Sequence, residues 1–429
     1  MRCEGRPKGE NMPRWLWLLT QLTRKLWLRA TLIGMLGVVA AVLSAVVERY
    51  IPWEIPGSIG ADAIDSLLNV IATSMLAVTT FSLSVTTSAF ASATSNVTPR
   101  ATRLLMEDRT TQNVLSSFIG SFLFSIVGIV VLKTGAYGDR GRLILFGMTV
   151  AVIVLIVVTL LRWIDHLTRL GRVGETTERV ERATREAIEI RCETPFLGGR
   201  PLANAGDLPA GGLQVSAGRV GYIRNVDMTA LSACADELDR DIVLAVVPGA
   251  FVYPDSPLAR IPIMPSAKKM QEATERVRAA FSIGSERSFD QDPRFGLVVM
   301  SEIAMRALSP AVNDPGTAID VIGRNTRLLS LWAEAGRRAA DDVPKHPRIH
   351  VPPLSTADLF EDSFMLIARD GAGHIEVQLR MRKALQALSR MGNDDFRAAA
   401  VKQAELALER ARTALVTEHD FVRLADVRL

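Results

Sequence analysis

The chain has 429 residues, of which 48% are hydrophobic, and its mean hydropathy is +0.19. A soluble core of this size does not need so much apolar surface, so these totals exclude an ordinary soluble enzyme. The net charge is only +4 and the three cysteines are scattered, which argues against a nucleic-acid-binding surface, a zinc site and a disulfide framework.

Four apolar windows predict transmembrane helices at residues 26–47, 67–90, 114–132 and 143–163. Each provides the roughly 20 residues that a helix needs to cross the hydrocarbon core. None has a charged residue in its central part, where one would cost roughly 2.5 to 3.5 kcal/mol on insertion scales. We therefore predict an N-terminal tail and a four-helix transmembrane bundle within residues 1–168.

The distribution of Lys and Arg predicts the orientation of these helices. The N-terminal segment is basic, whereas the first connection, residues 50–65, contains no Lys or Arg. The basic residues of the second connection and of the segment after the fourth window are Arg100, Arg103, Arg109, Arg169 and Arg172. Only the third connection opposes the pattern, so we expect both termini in the cytoplasm of a bacterial inner membrane.

The second window carries a stripe of uncharged polar residues, called here the polar stripe. It consists of Asn69, Thr73, Thr80, Ser84 and Thr87. Their three- and four-residue spacing, interrupted once by Ala77, places them on one helical face. Such a face lines a water-filled path when several subunits assemble around an axis. It also holds packed helices together, because Ser and Thr hydrogen-bond between helices, and both interpretations stay open.

Small residues mark the first and third windows. Gly34 and Gly37 lie in the first, and Gly120 and Gly128 lie in the third. Glycines let two helix backbones approach closely, so we predict packing seams at these positions. The central parts of the windows contain no Asp, Glu, His or Arg, which argues against a proton-coupled transporter.

The remaining residues predict a cytosolic α+β domain. Residues 169–212 are expected to form a charged helix and a loop, and residues 213–265 a small β-rich module. The order of short strands in that module resembles lipoyl- or biotinyl-like domains. No Lys occurs between Thr134 and Pro265, so the lysine that such domains modify is missing and no cofactor is expected.

Residues 266–429 are predicted to be mainly helical. Asp314 and Pro315 have the residue types of an N-cap and a first helical position, which predicts a helix starting there and extending through Leu331. The polar residues around this point are Arg287, Asp290, Asp292, Arg306, Asn313 and Asp314. They are interpreted either as a ligand-binding cluster or as helix caps and salt bridges, with the second favoured.

Catalytic and metal-binding patterns are missing from the sequence. The five histidines show no H-E-x-x-H or comparable spacing, and there is no G-x-S-x-G, Walker A or Rossmann motif. We therefore expect neither a catalytic residue nor a metal ligand, and we predict that the protein is not an enzyme.

Two local sequences point to a family. They are "SAFASATSNVTPR", after the second window, and "IAMRALSPAVNDPGTA", within the C-terminal region. With four helices ahead of a cytosolic region, the chain resembles the bacterial predicted membrane proteins of the domain of unknown function 2254 family. The resemblance implies a membrane location and this architecture, but it implies no activity and no catalytic residues.

Two functions follow as hypotheses. The first is an oligomeric channel or passive transport protein, lined by the polar stripe and regulated by the cytosolic domain. The second is a membrane-anchored sensor or scaffold without transport activity. The expected partners are the lipid bilayer, further copies of the same chain, and an unknown cytosolic ligand or protein, but no nucleic acid.

Overall fold

The computed structural model describes residues 26–47, 60–106, 108–135, 139–202, 212–263, 266–336 and 343–429. These residues form two compact units. The membrane unit comprises the described residues of Leu19–Ser95 and Pro99–Thr176, and the C-terminal unit comprises Asn96–Thr98 and the described residues of Thr177–Leu429.

The described residues of the membrane unit form five helices. They are α1 (Leu26–Val47), α2 (Ala61–Asn96), α3 (Pro99–Met106), α4 (Arg109–Lys133) and α5 (Asp139–Leu167). Each predicted window lies in one of the four long helices, because a run of apolar residues without Pro favours a helix in an apolar solvent. Helices α2, α4 and α5 extend beyond their predicted windows, because the ends of these helices are polar and lie outside the apolar runs.

Three helices, not four, are long and apolar enough to cross a membrane within the described residues. They are Ala61–Ser95, Arg109–Lys133 and Gly141–Leu167. The first predicted span is helical over Leu26–Val47, where Ala30–Ala40 is a shorter apolar helical segment among the described residues. The prediction of a four-helix transmembrane bundle is therefore corrected to three candidate spans in the part of the chain that the structure describes.

A glycine seam joins α1 to α4, as the small residues predicted. A Cβ atom at Gly37 would lie 2.7 Å from the carbonyl oxygen of Gly120, and one at Gly34 would lie 2.7 Å from the Leu123 side chain. Real Cβ atoms do not approach other atoms so closely, so the two backbones can meet at this distance only because glycines stand there. Gly128 faces Leu68 of α2 instead.

The C-terminal unit mixes helices and strands. In chain order they begin with α6 (Val173–Glu193), β1 (Gly199–Pro201), β2 (Leu213–Ser216), β3 (Gly221–Val226), α7 (Met228–Leu238), β4 (Ile242–Leu244), β5 (Phe251–Val252), β6 (Pro257–Ile261), α8 (Ala267–Ala279) and β7 (Phe281–Gly284). They continue with α9 (Pro293–Ala307), α10 (Pro315–Gly336), β8 (His346–Val351), α11 (Thr356–Asp370), α12 (Ile375–Leu388), α13 (Asp394–Ala414) and α14 (Glu418–Ala425). A small β region followed by helices agrees with the predicted α+β class.

The strands form two small sheets. The larger has the order β1-β8-β4-β6-β2, and the smaller has the order β5-β3-β7. β8 pairs in parallel with both β1 and β4, although it is more than 90 residues from either in sequence. The sheets therefore draw on strands outside the predicted 213–265 range. Their shared core packs α7 and α8 against the strands through residues such as Leu231, Ile242 and Val277.

Helices α9 to α13 form a second packed group in the C-terminal unit. α9 packs on α11, and α11 packs on α13. Phe360, Phe364 and Phe396 are among the largest fully buried side chains at these contacts. Phe360 meets Phe396 edge to face, with ring centroids 4.8 Å apart.

Candidate functional site

The polar stripe faces away from the described helices of its own chain. All five of its residues, Asn69, Thr73, Thr80, Ser84 and Thr87, are exposed. Large apolar side chains flank them on the same face, and Val70 and Phe81 are 63% and 65% exposed. The stripe therefore does not hold α2 to the helices of its own unit.

The opposite face of α2 makes the contacts within the membrane unit. Ile64 and Leu68 pack with Phe124 of α4 and Leu145 of α5, and Ile71 belongs to a neighbouring cluster. This face has its own polar contact, which the sequence reasoning missed. The indole N–H of Trp163 donates a 2.9 Å hydrogen bond to the buried hydroxyl of Ser82.

Most hydroxyls of the polar stripe are bonded to their own helix. Thr73 donates to the carbonyl oxygen of Asn69 at 2.8 Å, and Thr80 and Thr87 donate to carbonyl oxygens four residues earlier at 2.9 Å. This bonding lowers the cost of placing hydroxyls in an apolar environment. Within the described part of the chain, the Asn69 side-chain amide makes no hydrogen bond. An amide cannot satisfy all its donors and acceptors on its own helix, so it favours water or a second protein surface.

One end of α4 carries a second polar group, centred on His166. Its Nε2 atom lies 3.0 Å from Asp108 Oδ2 and 3.1 Å from the hydroxyl of Thr111. Asp108 caps α4 by accepting from the backbone N–H of Thr111. The imidazole also stacks on Trp163, with ring centroids 5.6 Å apart. The resulting chain of contacts joins α2, α4 and α5.

In the C-terminal unit, three of the six predicted cluster residues lie together. Arg287 donates to both carboxylate oxygens of Asp292, at 2.7 and 3.0 Å, and Asp292 also accepts from the backbone N–H of Phe295 as the N-cap of α9. Asp290 accepts from the hydroxyl of Ser288 at 2.8 Å. Burial raises the pKa of the Asp292 carboxyl, and Arg287 opposes that rise.

The other three residues lie toward the opposite end of α9. Arg306 is exposed in its last turn, and Asn313 is exposed in the following turn with a φ of +50°. Asp314 accepts from the backbone N–H of Thr317 at 3.0 Å, so it has the predicted role of an N-cap. The six residues therefore do not form one cluster. Asp292, followed by Pro293, carries the same cap signal as Asp314 and Pro315.

A buried arginine lies close to Asp292. Arg191, on α6, is 6% exposed, and burial lowers the pKa of its guanidinium to about 10, which Asp292 partly opposes. It stays charged at neutral pH. Burial also raises the pKa of the neighbouring Cys192 thiol to about 11, which makes that thiol a poor nucleophile.

Two further ion-pair networks were not predicted, because their partners are distant in sequence. Glu181 accepts from Arg324 at 2.6 Å and from Arg327 at 3.0 Å. Arg294 donates to Asp358 and Asp362, at 2.5 and 2.6 Å. Every charge named here has a partner of opposite sign, which is the arrangement of structural ion pairs. Among the described residues, no group of three His, Cys, Asp or Glu side chains is placed to hold a metal ion.

Comparison with known proteins agrees with the apolar helices. Residues 23–387 match the family described as predicted membrane protein, domain of unknown function 2254. Uncharacterized proteins of Mycobacterium tuberculosis and Mycobacterium bovis are each 26% identical over 286 residues, which is 65% of this chain and 53% of theirs. The chain thus spans about half the length of these relatives, and no solved structure matches it. Because the family match covers most of the sequence, the chain belongs to this family of predicted membrane proteins.

Proposed function

We propose that the protein is an oligomeric channel or passive transport protein of the bacterial inner membrane. The observation that carries the proposal is the exposure of the whole polar stripe within its own chain. A lipid-facing helix surface is ordinarily apolar, so a row of exposed Asn, Thr and Ser that is interrupted only at Ala77 favours a surface that meets water or another subunit. Several copies with α2 turned to one axis would meet both conditions.

The outer end of the stripe supports the same assembly. Asp62 lies seven residues before Asn69, which places it on the same helical face. Its side chain is exposed, and among the described residues it makes no ion pair or hydrogen bond. In a symmetric assembly each copy would add one carboxylate to a ring at the mouth, and rings of acidic side chains favour cations. With the C-terminal unit in the cytoplasm, three spans place the start of α2 on the outer side, and both termini would be cytoplasmic only if α1 crossed the bilayer as well.

The alternative, a membrane-anchored sensor or scaffold, has less support. Its expected ligand site was the cluster around Asp292. The charges of Arg287 and Asp292 are already paired with each other, and the remaining candidates lie at the other end of α9. A ligand would have to displace these contacts in order to bind there.

Transport is tested with the full-length protein in liposomes. Imposed potassium gradients should dissipate through the wild-type protein, and Thr80→Leu with Ser84→Leu should reduce the flux by making the path apolar. Thr159→Leu, on α5, applies the same chemical change outside the stripe and should leave the flux unchanged. Tight liposomes at high protein density, or equal flux through all variants, would contradict the proposal.

Water accessibility gives a second test of the polar stripe. Thr80→Cys is compared with Val158→Cys, on an exposed apolar position of α5 outside the stripe, after the three native cysteines are replaced. A charged, membrane-impermeant thiol reagent should modify Thr80→Cys in the assembled protein faster than Val158→Cys. Protection of both positions, together with cross-linking between copies, would identify the stripe as a packing surface.

A further inference from the structure

The C-terminal unit contains a charged side chain that is buried without a bonded partner. Arg191 lies near the end of α6 and is 6% exposed. Burial lowers the pKa of its guanidinium only to about 10, so the group is charged at neutral pH. Within the part of the chain that the structure describes, this guanidinium donates no hydrogen bond and forms no ion pair, and Asp292 acts on it only from a longer distance. A buried charge without a bonded partner is unfavourable, which points to a partner from outside the chain.

The packing of α6 on α9 directs Arg191 toward the first turn of α9. A Cβ atom at Gly296 would overlap the side chain of Thr184, so the two helices are in close contact there. Arg191 follows Thr184 by seven residues on α6. Asp292, which acts on Arg191, precedes Gly296 by four residues, so the two helices run in opposite directions. Helical side chains point toward the N-terminus of their own helix, which brings the guanidinium of Arg191 back to the level of the α9 N-cap.

The first turn of α9 adds to the positive charge at this place. A helix N-terminus carries a partial positive charge and favours anions. Asp292, the N-cap, is a nearby carboxylate, but both of its oxygens accept hydrogen bonds from Arg287. Two arginines and one aspartate leave a net charge of +1, which belongs to Arg191 because the other two charges are paired with each other.

The remaining charges of the α9 first turn are paired among themselves. Arg294 donates to Asp358 and Asp362 of α11. Asp292 is the one carboxylate that acts on the Arg191 guanidinium, so these two aspartates do not neutralise it.

The guanidinium of Arg191 is not sealed inside the unit. Both polar side-chain atoms of Asn225 are fully enclosed without a partner, but the nitrogens of Arg191 are not enclosed in this way. A solute can therefore contact Arg191 while the bonds between Arg287 and Asp292 stay intact. The six-residue cluster predicted from the sequence does not allow this, because its buried charges are already bonded to each other.

We infer that Arg191 and the N-terminus of α9 bind a small oxyanion, which is a carboxylate or phosphate group of a water-soluble molecule. The planar guanidinium donates two parallel N–H groups to two oxygens of such a group. Binding gives the buried charge a bonded partner, and the dipole of α9 adds to the attraction. The inference concerns the C-terminal unit alone and goes beyond the transport proposed for the membrane unit, so either can fail without the other.

The melting temperature of the full-length protein in detergent tests this inference. Sodium phosphate or sodium acetate replaces sodium chloride at constant ionic strength. We expect a saturable rise with at least one of the two oxyanions, and the one that saturates at the lower concentration identifies the preferred group. Arg191→Met keeps the apolar stem, removes the charge and should weaken this binding at least tenfold, the effect of one charge-assisted contact. Arg182→Met removes an exposed arginine of the same helix and should leave the response unchanged.

The protein in chloride alone provides the second measurement. Arg191 is then a buried charge without a bonded partner, so Arg191→Met should melt no lower than the wild type. Arg191→Lys keeps the charge but loses the parallel donors, and it should bind with intermediate affinity. The absence of a saturable response to either oxyanion, or equal responses from Arg191→Met and Arg182→Met, would overturn the inference. A much lower melting temperature of Arg191→Met in chloride would also overturn it, because Arg191 would then stabilise the fold through Asp292.

Discussion

In the spans of the membrane unit, the polar groups are mostly hydroxyls that bond to a carbonyl oxygen four residues earlier, as Thr73 and Ser125 do. Hydroxyls in helices of the C-terminal unit, such as that of Thr326, bond in the same way. The two units differ in their charged side chains, because the C-terminal unit also has ion pairs between segments far apart in sequence, such as Glu181 with Arg324. A charged side chain is costly inside a bilayer, whereas distant ion pairs in the C-terminal unit fix its tertiary arrangement.

The comparison predicts that loss of one charged partner is most costly in the C-terminal unit. Asp292→Ala leaves Arg287 partly buried without its partner and removes the cap of α9, so we expect a loss of about 3 to 5 kcal/mol in the free energy of unfolding. Hydrogen exchange of the α9 amides in the full-length protein measures it. Asp314→Ala removes an exposed cap of α10 and should cost only about 1 kcal/mol. Equal losses would contradict the structural role assigned to the Arg287–Asp292 pair.

Low pH should destabilise the C-terminal unit through Glu181. Burial alone would raise the pKa of Glu181, but Arg327 and Arg324 outweigh it and lower that pKa below its ordinary value of 4.5. The stabilisation is therefore present above pH 4.5 and is lost as the pH falls through the lower, folded-state value. Glu181→Gln should cost about 2 kcal/mol at neutral pH and should flatten the acid dependence. Unfolding measured from pH 7 down to 3 checks this, and an unchanged acid limb would contradict it.

In the described part of the membrane unit, α1 and α4 are held together by the close approach of their backbones at glycines and not by ion pairs. Gly37→Ala would set a Cβ atom against the Gly120 carbonyl and force α1 away from α4. We expect a loss of about 1 to 3 kcal/mol in detergent-induced unfolding. Gly147→Ala, on α5, has open space at its Cβ position and serves as the control. A seam that tolerates both changes equally would mean that α1 and α4 separate readily.

The distinction between contacts within one segment and contacts between distant segments also explains which features could be predicted from the sequence. The window 114–132 lies within α4, because its helical tendency and apolar character are both local properties. The Asp314 cap was predicted for the same reason. Only tertiary structure shows the place of β8 between β1 and β4, or the pairing of Glu181 with Arg324. Nothing in the local pattern selects such partners.

The candidate site was predicted only in part, again for a physical reason. The spacing of the polar stripe was enough to place its residues on one face. Spacing alone does not show whether that face is packed or exposed. Ser82 and Thr86 have the same four-residue spacing on α2, yet they are buried. The difference arises from the neighbouring Trp163, whose indole bonds to Ser82.

The smallest expected effects give the sharpest contrast within α2 itself. Ser82→Ala leaves the Trp163 N–H without its acceptor and should cost about 1 kcal/mol, typical of hydrogen bonds between membrane helices. Thr73→Val removes a hydroxyl that bonds only to its own helix on an exposed face, and it should change stability by less than about 0.5 kcal/mol. Detergent-induced unfolding of both variants, each isolated as single chains, makes the comparison. If Thr73→Val instead matched Ser82→Ala in single chains, the stripe would already have a partner within one subunit. If it became costly only in the assembled protein, the hydroxyls would contact a neighbouring copy, and a packing surface would replace the water-filled path.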